Sequence, residues 1–142
     1  MITQDVTKLE EAALSAMVAK ALALSVKGVA VVGIASPDQP ETFFFGARIS
    51  GRFERPPDPS RGENDKGTNF FSIVFSKLAE MVATRRDSGE SPNRVFKKGE
   101  FGYKGGLIRE KEGFTLLAAF SGGSEAQDLE ISQAGVEALL LL

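Results

Sequence analysis

The sequence predicts an α+β domain in which helices pack on an antiparallel sheet. Two observations indicate this fold class. Helical and strand patterns follow one another in the order helix, two strands, helix, two or three strands, helix. The links within the strand pairs are also too short for a parallel crossover, so consecutive strands should form antiparallel hairpins. A chain of 142 residues is expected to form a single domain, residues 1–142.

The first element is expected to be an amphipathic helix from residue 7 to about residue 25. Lys27 and Gly28 follow it and end the pattern. Most of its apolar residues are strong helix formers, and they recur at intervals of three and four positions, as on one helix face. These residues are Leu9, Ala12, Ala13, Ala16, Met17, Ala19 and Ala23.

Two strands are predicted next, at residues 29–35 and 42–49, joined by a proline-containing turn at 36–40. The second strand contains Phe43, Phe44 and Phe45, which place aromatic rings on both of its faces. Both faces of such a strand must be covered, either by helices or by another subunit. We therefore expect a homo-oligomer.

The segment 51–67 is polar and contains three prolines. A connection of this length in a small domain is either a lid or binding loop, or a disordered insertion. Its arginines could meet an anion, but interleaved acidic residues should largely cancel their charge. The basic residues are Arg52, Arg55 and Arg61, and the acidic ones are Glu54, Asp58 and Glu63.

A second helix is predicted from about residue 68 to residue 87, before Ser88 and Gly89. Its apolar residues fall on one helical stripe, which should face the core. The stripe consists of Phe71, Val74, Phe75, Leu78, Met81 and Val82. The opposite, polar side is expected to carry Lys77, Glu80, Thr84 and Arg85.

Residues 90–104 are irregular, and two more strands are predicted at about 107–109 and at 114–120. The turn between them contains Gly113, which can adopt a positive φ without steric cost. A last helix starts after Ser124, which forms a capping box with Gln127. Glu125 and Asp128 then occupy the first turn, where the helix dipole favours negative charge.

The composition excludes several classes of function. With 17 basic and 19 acidic residues, the chain lacks the positive excess of a dedicated nucleic-acid surface. The absence of Cys and His removes thiolate nucleophiles, disulfides and the commonest metal ligand and general base. Acid-base chemistry would depend on Asp, Glu, Lys or the single tyrosine, Tyr103. We predict no catalytic or metal-ligating residue.

The chain is expected to be cytoplasmic, without a membrane contact. Polar and acidic residues precede any apolar run at the N-terminus, which is not the pattern of a secretory signal. No stretch approaches the eighteen or so apolar residues of a membrane span. The leucine run at 139–142 is too short to span, and is expected to pack on the core or on a neighbouring subunit.

Three features of the C-terminal third resemble the signature of the GlcG/HbpS-like family, also called the DUF336 or PduO C-terminal-like family. They are the S-G-G turn at 121–123, the E-A-Q-D helix start at 125–128 and the A-G pair at 134–135. Weaker similarity extends to residues 7–13, to the strand at 29–32 and to the G-G turn at 105–106.

The resemblance implies a profilin-like or GlcG-like arrangement, in which a sheet of about five strands carries helices on both faces in α/β/α layers. It also implies oligomers, and a lysine in the second helix, matched here by Lys77. Some members of the family bind haem or iron. Others are attached to corrinoid adenosyltransferases or are associated with glycolate use.

Eight residues are predicted to bind a ligand. Backbone N–H groups of the turn before the last helix would suit a carboxylate or phosphate, although nearby acidic residues would partly neutralise the site, and a purely structural turn is the alternative. The G-G turn and the tyrosine would suit a pocket wall, although a lone tyrosine is often a packing residue. The predicted residues are Lys77, Tyr103, Gly105, Gly106, Ser121, Gly122, Gly123 and Ser124.

The function expected from this resemblance is non-catalytic binding of a small molecule, with haem, a corrinoid-related compound or an organic acid as candidate ligands. Haem could not be ligated by His or Cys, which leaves Tyr103, Lys77, Met17 and Met81 as candidate iron ligands. Two alternatives stay open. The chain could be an oligomeric accessory subunit without a ligand, or a weak enzyme that uses Lys77 or Tyr103 on a small organic acid.

Overall fold

The computed structural model describes residues 3–141, and it shows three helices and six strands in that part of the chain. Residue 142 of the predicted leucine run lies outside the described residues, whereas Leu139 is fully buried at the end of the last helix and Leu141 is 83% exposed. The elements are α1 (Thr3–Ala23), β1 (Gly28–Ala35), β2 (Phe44–Ser50), β3 (Glu54–Arg55), β4 (Thr68–Asn69), α2 (Phe70–Thr84), β5 (Gly106–Lys111), β6 (Phe114–Ser121) and α3 (Glu125–Leu139).

Four strands form the main antiparallel sheet, in the order β2-β1-β6-β5, and β3 pairs with β4 in a separate two-stranded sheet. Both predicted hairpins are present. In the second hairpin, Glu112 and Gly113 connect β5 to β6 with φ values of 52° and 84°. A two-residue turn with positive φ at both positions matches the twist of the flanking strands. The expected α+β fold is confirmed, with four strands in the main sheet rather than about five.

Helices cover both faces of the sheet. Helices α1 and α3 pack on one face around Met17, Phe120 and Ile131, and α2 packs on the other around Val31, Val74 and Leu117; all six of these residues are buried. The central strands β1 and β6 are therefore buried on both faces, which explains why their sequences are almost continuously apolar. The predicted α/β/α layering is present.

Helix α2 is rotated relative to the sequence expectation. Lys77 and Glu80 were predicted on the polar side, but they are only 2% and 1% exposed. Both have polar partners in the interior, and Glu80 Oε2 accepts a hydrogen bond of 2.7 Å from the Gly89 N–H. Phe71 and Phe75, predicted to face the core, are instead half-buried at its margin. Polar partners in the interior therefore set the buried face of this helix.

The helix ends also shift by a few residues. Helix α1 ends before Ser25, which has a left-handed φ of 57°. Helix α2 begins only at Phe70, because the Asn69 side chain caps it by accepting from the Ser72 N–H at 3.0 Å. It ends at Thr84, where Arg85 adopts a left-handed conformation.

The aromatic strand β2 lies at an edge of the sheet and is only partly covered. Phe44 and Phe45 are 41% and 44% exposed. The Phe45 ring stacks on Phe43 and meets the edge of Phe75, with ring centroids 5.8 and 6.1 Å apart. Helix α1 packs against β2. The aromatic cluster on the α2 side of this strand stays largely open.

The polar segment 51–67 is folded back on itself. Arg55 forms a bidentate pair with Asp65 at 2.9 and 3.1 Å, and Asp65 also accepts from the Asp58 N–H at 2.8 Å. Strand β3 and a short 3₁₀ turn (Pro59–Arg61) lie within the segment. These contacts argue against the disordered-insertion alternative.

Asp65→Asn is expected to open this segment, because an amide cannot replace a carboxylate that accepts from a guanidinium and a backbone N–H together. We expect trypsin to cleave the native variant at Arg61 and Lys66 several-fold faster than it cleaves the native parent protein. The Glu63→Gln variant, altered at an exposed carboxylate in the same segment, is the control. Equal cleavage rates for all three proteins would show that the Arg55–Asp65 pair does not order the segment.

Glu10 on α1 is a buried carboxylate that makes stability depend on pH. It is 8% exposed, its Oε2 has no hydrogen-bond partner in the described part of the chain, and burial raises its pKa to about 7. Between about pH 4.5 and pH 7, the Glu10 carboxyl of the native state thus holds a proton that the unfolded chain has already released. Stability contributed by the protonated form is therefore lost as pH rises through about 7.

We expect Glu10→Gln to stabilise the protein by about 2 kcal/mol more at about pH 8.5 than at about pH 5. Urea unfolding at the two pH values measures this difference. Glu11→Gln, at an exposed neighbour, should leave the pH dependence unchanged. If the stability of Glu10→Gln depends on pH as that of the parent does, then another residue is responsible for the pH dependence.

Candidate functional site

A buried ion pair joins α2 to the start of α3. Lys77 Nζ lies 3.1 Å from Asp128 Oδ2 and donates a hydrogen bond of 2.6 Å to the Phe120 carbonyl on β6. The two charged side chains are 2% and 7% exposed. The lysine thus links three elements beneath the turn between β6 and α3.

Each charge of this pair depends on the other. Burial lowers the pKa of Lys77, and the Asp128 charge partly offsets that effect. Burial raises the pKa of Asp128, which is offset in part by Lys77 and by the Gly123 N–H, donating to Oδ1 at 2.9 Å. A buried charge left without its partner costs several kcal/mol, so the two side chains act as a unit.

The turn at 121–124 binds groups of the chain itself. The Gly123 N–H donates to Asp128, and the Ser124 N–H donates to Gln127 Oε1 at 2.9 Å. The Ser124 hydroxyl accepts in return from the Gln127 N–H at 3.2 Å, so the predicted capping box is confirmed. Asp128 therefore occupies the position expected for an anion, and ligand binding by these N–H groups stays a prediction.

The G-G turn passes directly over the ion pair. Gly105 has a φ of +114°, and a Cβ there would lie 2.7 Å from Asp128 Cβ and 2.9 Å from Lys77 Nζ. Its carbonyl accepts from the Ser132 hydroxyl at 2.6 Å, and the Gly106 N–H donates to the Ser88 hydroxyl at 2.9 Å. Only a glycine allows the chain to approach the pair so closely.

A cavity of about 210 Å³, here called the cleft, opens beside the ion pair. It brings together five of the predicted residues, Lys77, Tyr103, Ser121, Gly122 and Gly123. Its other lining residues are Thr68, Phe70, Ile73, Lys104, Glu125 and Asp128.

The remaining predicted residues line two neighbouring cavities. Gly105 and Gly106 line one of about 410 Å³, which shares Lys104 and Glu125 with the cleft. Ser124 lines another of about 350 Å³, here called the arginine cavity. All eight predicted residues thus lie around the start of α3.

Sequence reasoning missed several residues of this site. Asp128 was assigned to the helix dipole and to the E-A-Q-D helix start but not to an ion pair, Phe70 was not placed at the site, and Ile73 and Ser132 were not considered. One signal was available for the ion pair. Lys77 lies between Val74 and Leu78, on the apolar stripe of α2, and a lysine buried there requires an acidic partner.

The residues present do not fit an enclosed haem. Met17 and Met81 are fully buried in the two cores, and Lys77 is bound to Asp128 and Phe120. Of the four candidate iron ligands, Tyr103 alone is substantially exposed, at 47%, and lines the cleft. The cleft is also smaller than the roughly 300–1,000 Å³ of pockets for drug-sized ligands.

Among residues 3–141, no helix is both long and apolar enough to cross a membrane. No protein-family model and no curated protein sequence matches the chain. Four solved chains match it, and two of them are similar over almost their whole lengths.

One is the Klebsiella pneumoniae protein ORFY, of the DUF336 family, with a TM-score of 0.62, 14% identity, and coverage of 93% of this chain and 88% of ORFY. The other is PduOC, solved as a complex with heme, with a TM-score of 0.60, 18% identity, and coverage of 97% and 94%. The chain therefore has the fold of the DUF336 and PduO C-terminal-like domains, as its sequence resemblance predicted.

Proposed function

We propose that the chain is a non-catalytic domain that binds a small molecule in the cleft. The composition of the cleft wall carries this proposal. Phe70, Ile73 and Tyr103 supply apolar and aromatic surface, and the ion pair supplies a few fixed polar groups at its side. Pockets for small molecules commonly combine such a wall with a small number of positioned polar atoms.

The hydrogen bonds of the ion pair favour binding over catalysis. Lys77 uses two of its three N–H donors on Asp128 and Phe120, so one donor remains for a ligand. To act as a base, Lys77 would have to lose its positive charge. The buried Asp128 carboxylate would then have no cationic partner. A weak enzyme acting on an organic acid is therefore the less favoured alternative.

The size of the cleft favours a small organic acid over haem or a corrinoid. A volume of about 210 Å³ suits a molecule of few atoms. The structural neighbour PduOC is a complex with heme, which supports small-molecule binding by this fold. In the present chain, Tyr103 alone of the four candidate iron ligands is substantially exposed, and the cleft is small. Both observations argue for a different and smaller ligand.

Titration of the ¹⁵N-labelled protein with glycolate, succinate and haem tests this proposal. We expect saturable shifts at Tyr103, Gly122 and Gly123 with a carboxylate. Ile73→Trp, which fills the cleft, should weaken binding about tenfold or more, whereas Val95→Trp, at a site 87% exposed and outside the cleft, should not. Lack of saturable binding, or unchanged binding by Ile73→Trp, would contradict the proposal.

A second proposal concerns the open aromatic cluster on β2. We propose that the chain self-associates through Phe43, Phe45, Ala47 and Ile49 on the α2 side of this edge strand. Phe45 and Ile49 are 44% and 49% exposed, and a stable interface needs about 800 Å² per partner. Sedimentation at increasing concentration should show an oligomer that Phe45→Ser dissociates and Val95→Ser leaves intact. A concentration-independent monomer would refute it.

A further inference from the structure

We propose that the arginine cavity binds the oxyanion of the ligand, a carboxylate or a phosphate, through Arg52 and Arg61. Placement of the rest of the ligand in the cleft rests on the function proposed above. The cavity measures about 350 Å³, and no acidic residue is among those described as lining it. Its walls are formed by Arg52, Arg55, Arg61, Thr68, Phe70, Gly122, Gly123 and Ser124.

The structure separates charges that the sequence suggested would cancel. Asp65 is bound bidentately by Arg55. The Asp58 carboxylate accepts from the N–H and hydroxyl of Ser60, and it forms an exposed ion pair with Arg61 at 3.9 Å, too long for a hydrogen bond. Asp58 does not line the cavity, so Arg52 keeps its charge there and Arg61, although paired at 3.9 Å, keeps its N–H donors for an anion.

Arg52 lies over the Phe70 ring at the cavity wall. Its guanidinium lies 4.7 Å from the centroid of the Phe70 ring, and it makes long hydrogen bonds of 3.4 and 3.3 Å to the Lys27 and Gly122 carbonyls. A guanidinium has five N–H donors, so most of its capacity is free for an oxyanion. A guanidinium held in this way is suited to bidentate recognition of a carboxylate or phosphate.

The arginines, rather than the start of α3, carry this proposal. The N–H groups of Gly123 and Ser124 already donate to Asp128 and Gln127. The arginine cavity and the cleft share Thr68, Phe70, Gly122 and Gly123 in their walls. One molecule can therefore place its oxyanion on the arginines and its body against Phe70 in the cleft.

NMR titration with inorganic phosphate and, separately, with succinate tests the subsite. Phosphate has no body to place in the cleft, so its binding reports the arginine cavity alone, and comparison with succinate distinguishes a phosphate ligand from a carboxylate. We expect shifts at Gly122, Gly123 and Ser124 with at least one probe. Arg52→Gln and Arg61→Gln should each weaken that binding about tenfold.

Arg86→Gln makes the same change of charge at an exposed site outside the cavity and should bind as the parent does. Arg61 has a side chain that is 62% exposed, so its variant should stay folded even if Arg52→Gln does not. Equal affinity of Arg61→Gln and the parent for both probes would overturn the subsite. If Ile73→Trp abolishes succinate binding and Arg61→Gln leaves it intact, the subsite is also overturned. The function proposed for the cleft is supported in that case.

Discussion

Lys77→Met is expected to destabilise the protein by about 3–5 kcal/mol, because the Asp128 carboxylate would remain buried without its cationic partner. The Phe120 carbonyl would lose its hydrogen bond at the same time. Urea unfolding at neutral pH measures the free energy of unfolding of the variant and its parent. This is one of the two largest effects that we expect for a single substitution.

The double variant Lys77→Met with Asp128→Leu separates the ion pair from packing. Replacing both charges by apolar groups should recover much of the loss, so the two single effects should be strongly non-additive. Lys104→Met, at a lysine that lines the same cleft but is 52% exposed, should change stability by less than about 1 kcal/mol. If Lys77→Met has an effect as small as Lys104→Met, the buried pair is not what joins α2 to α3.

Gly122→Ala is expected to destabilise the protein by about 3 kcal/mol or more. The residue has a φ of +148°, and its added Cβ would lie 2.2 Å from the Lys27 carbonyl oxygen and 2.7 Å from Gly28 Cα. Both contacts are with the backbone, so neither can be relieved by rotation of a side chain. The change would push the end of β6 away from the start of β1 and deform the walls of the cleft and the arginine cavity.

Gly62→Ala is the matched control, since its φ is +138° but nothing lies within 4 Å of the added Cβ. It measures the conformational cost alone, and the difference between the two variants measures the backbone clash. Thermal and urea unfolding report both. Equal losses for the two variants would show that β1 and β6 can separate without cost at this point.

Local signals were sufficient to predict the architecture. The continuous apolar runs of β1 and β6, the Glu112-Gly113 turn and the capping box at Ser124 each depend on residues close together in sequence. Short-range patterns of this kind determine hairpins and helix starts. The layered α+β fold follows from packing these elements around one sheet.

The site depends instead on contacts that span large distances in sequence. Lys77 and Asp128 are 51 residues apart, and neither position by itself indicates the other as its partner. The rotation of α2 follows from that contact, and so it was missed. In the segment 51–67, the basic and acidic charges were summed and expected to cancel. In the structure, Arg55 pairs bidentately with Asp65, whereas Arg52 and Arg61 line an open cavity.

The central claim is that this chain holds a small organic anion in the cleft, and native mass spectrometry of protein purified from its own host tests it most directly. An absorption spectrum of the same sample reports any haem. We predict a stoichiometric extra mass of a small acid, absent from Ile73→Trp, and no Soret band. Protein that carries no extra mass, and that stays empty after small organic acids and haem are offered, would contradict the claim and favour the accessory-subunit alternative.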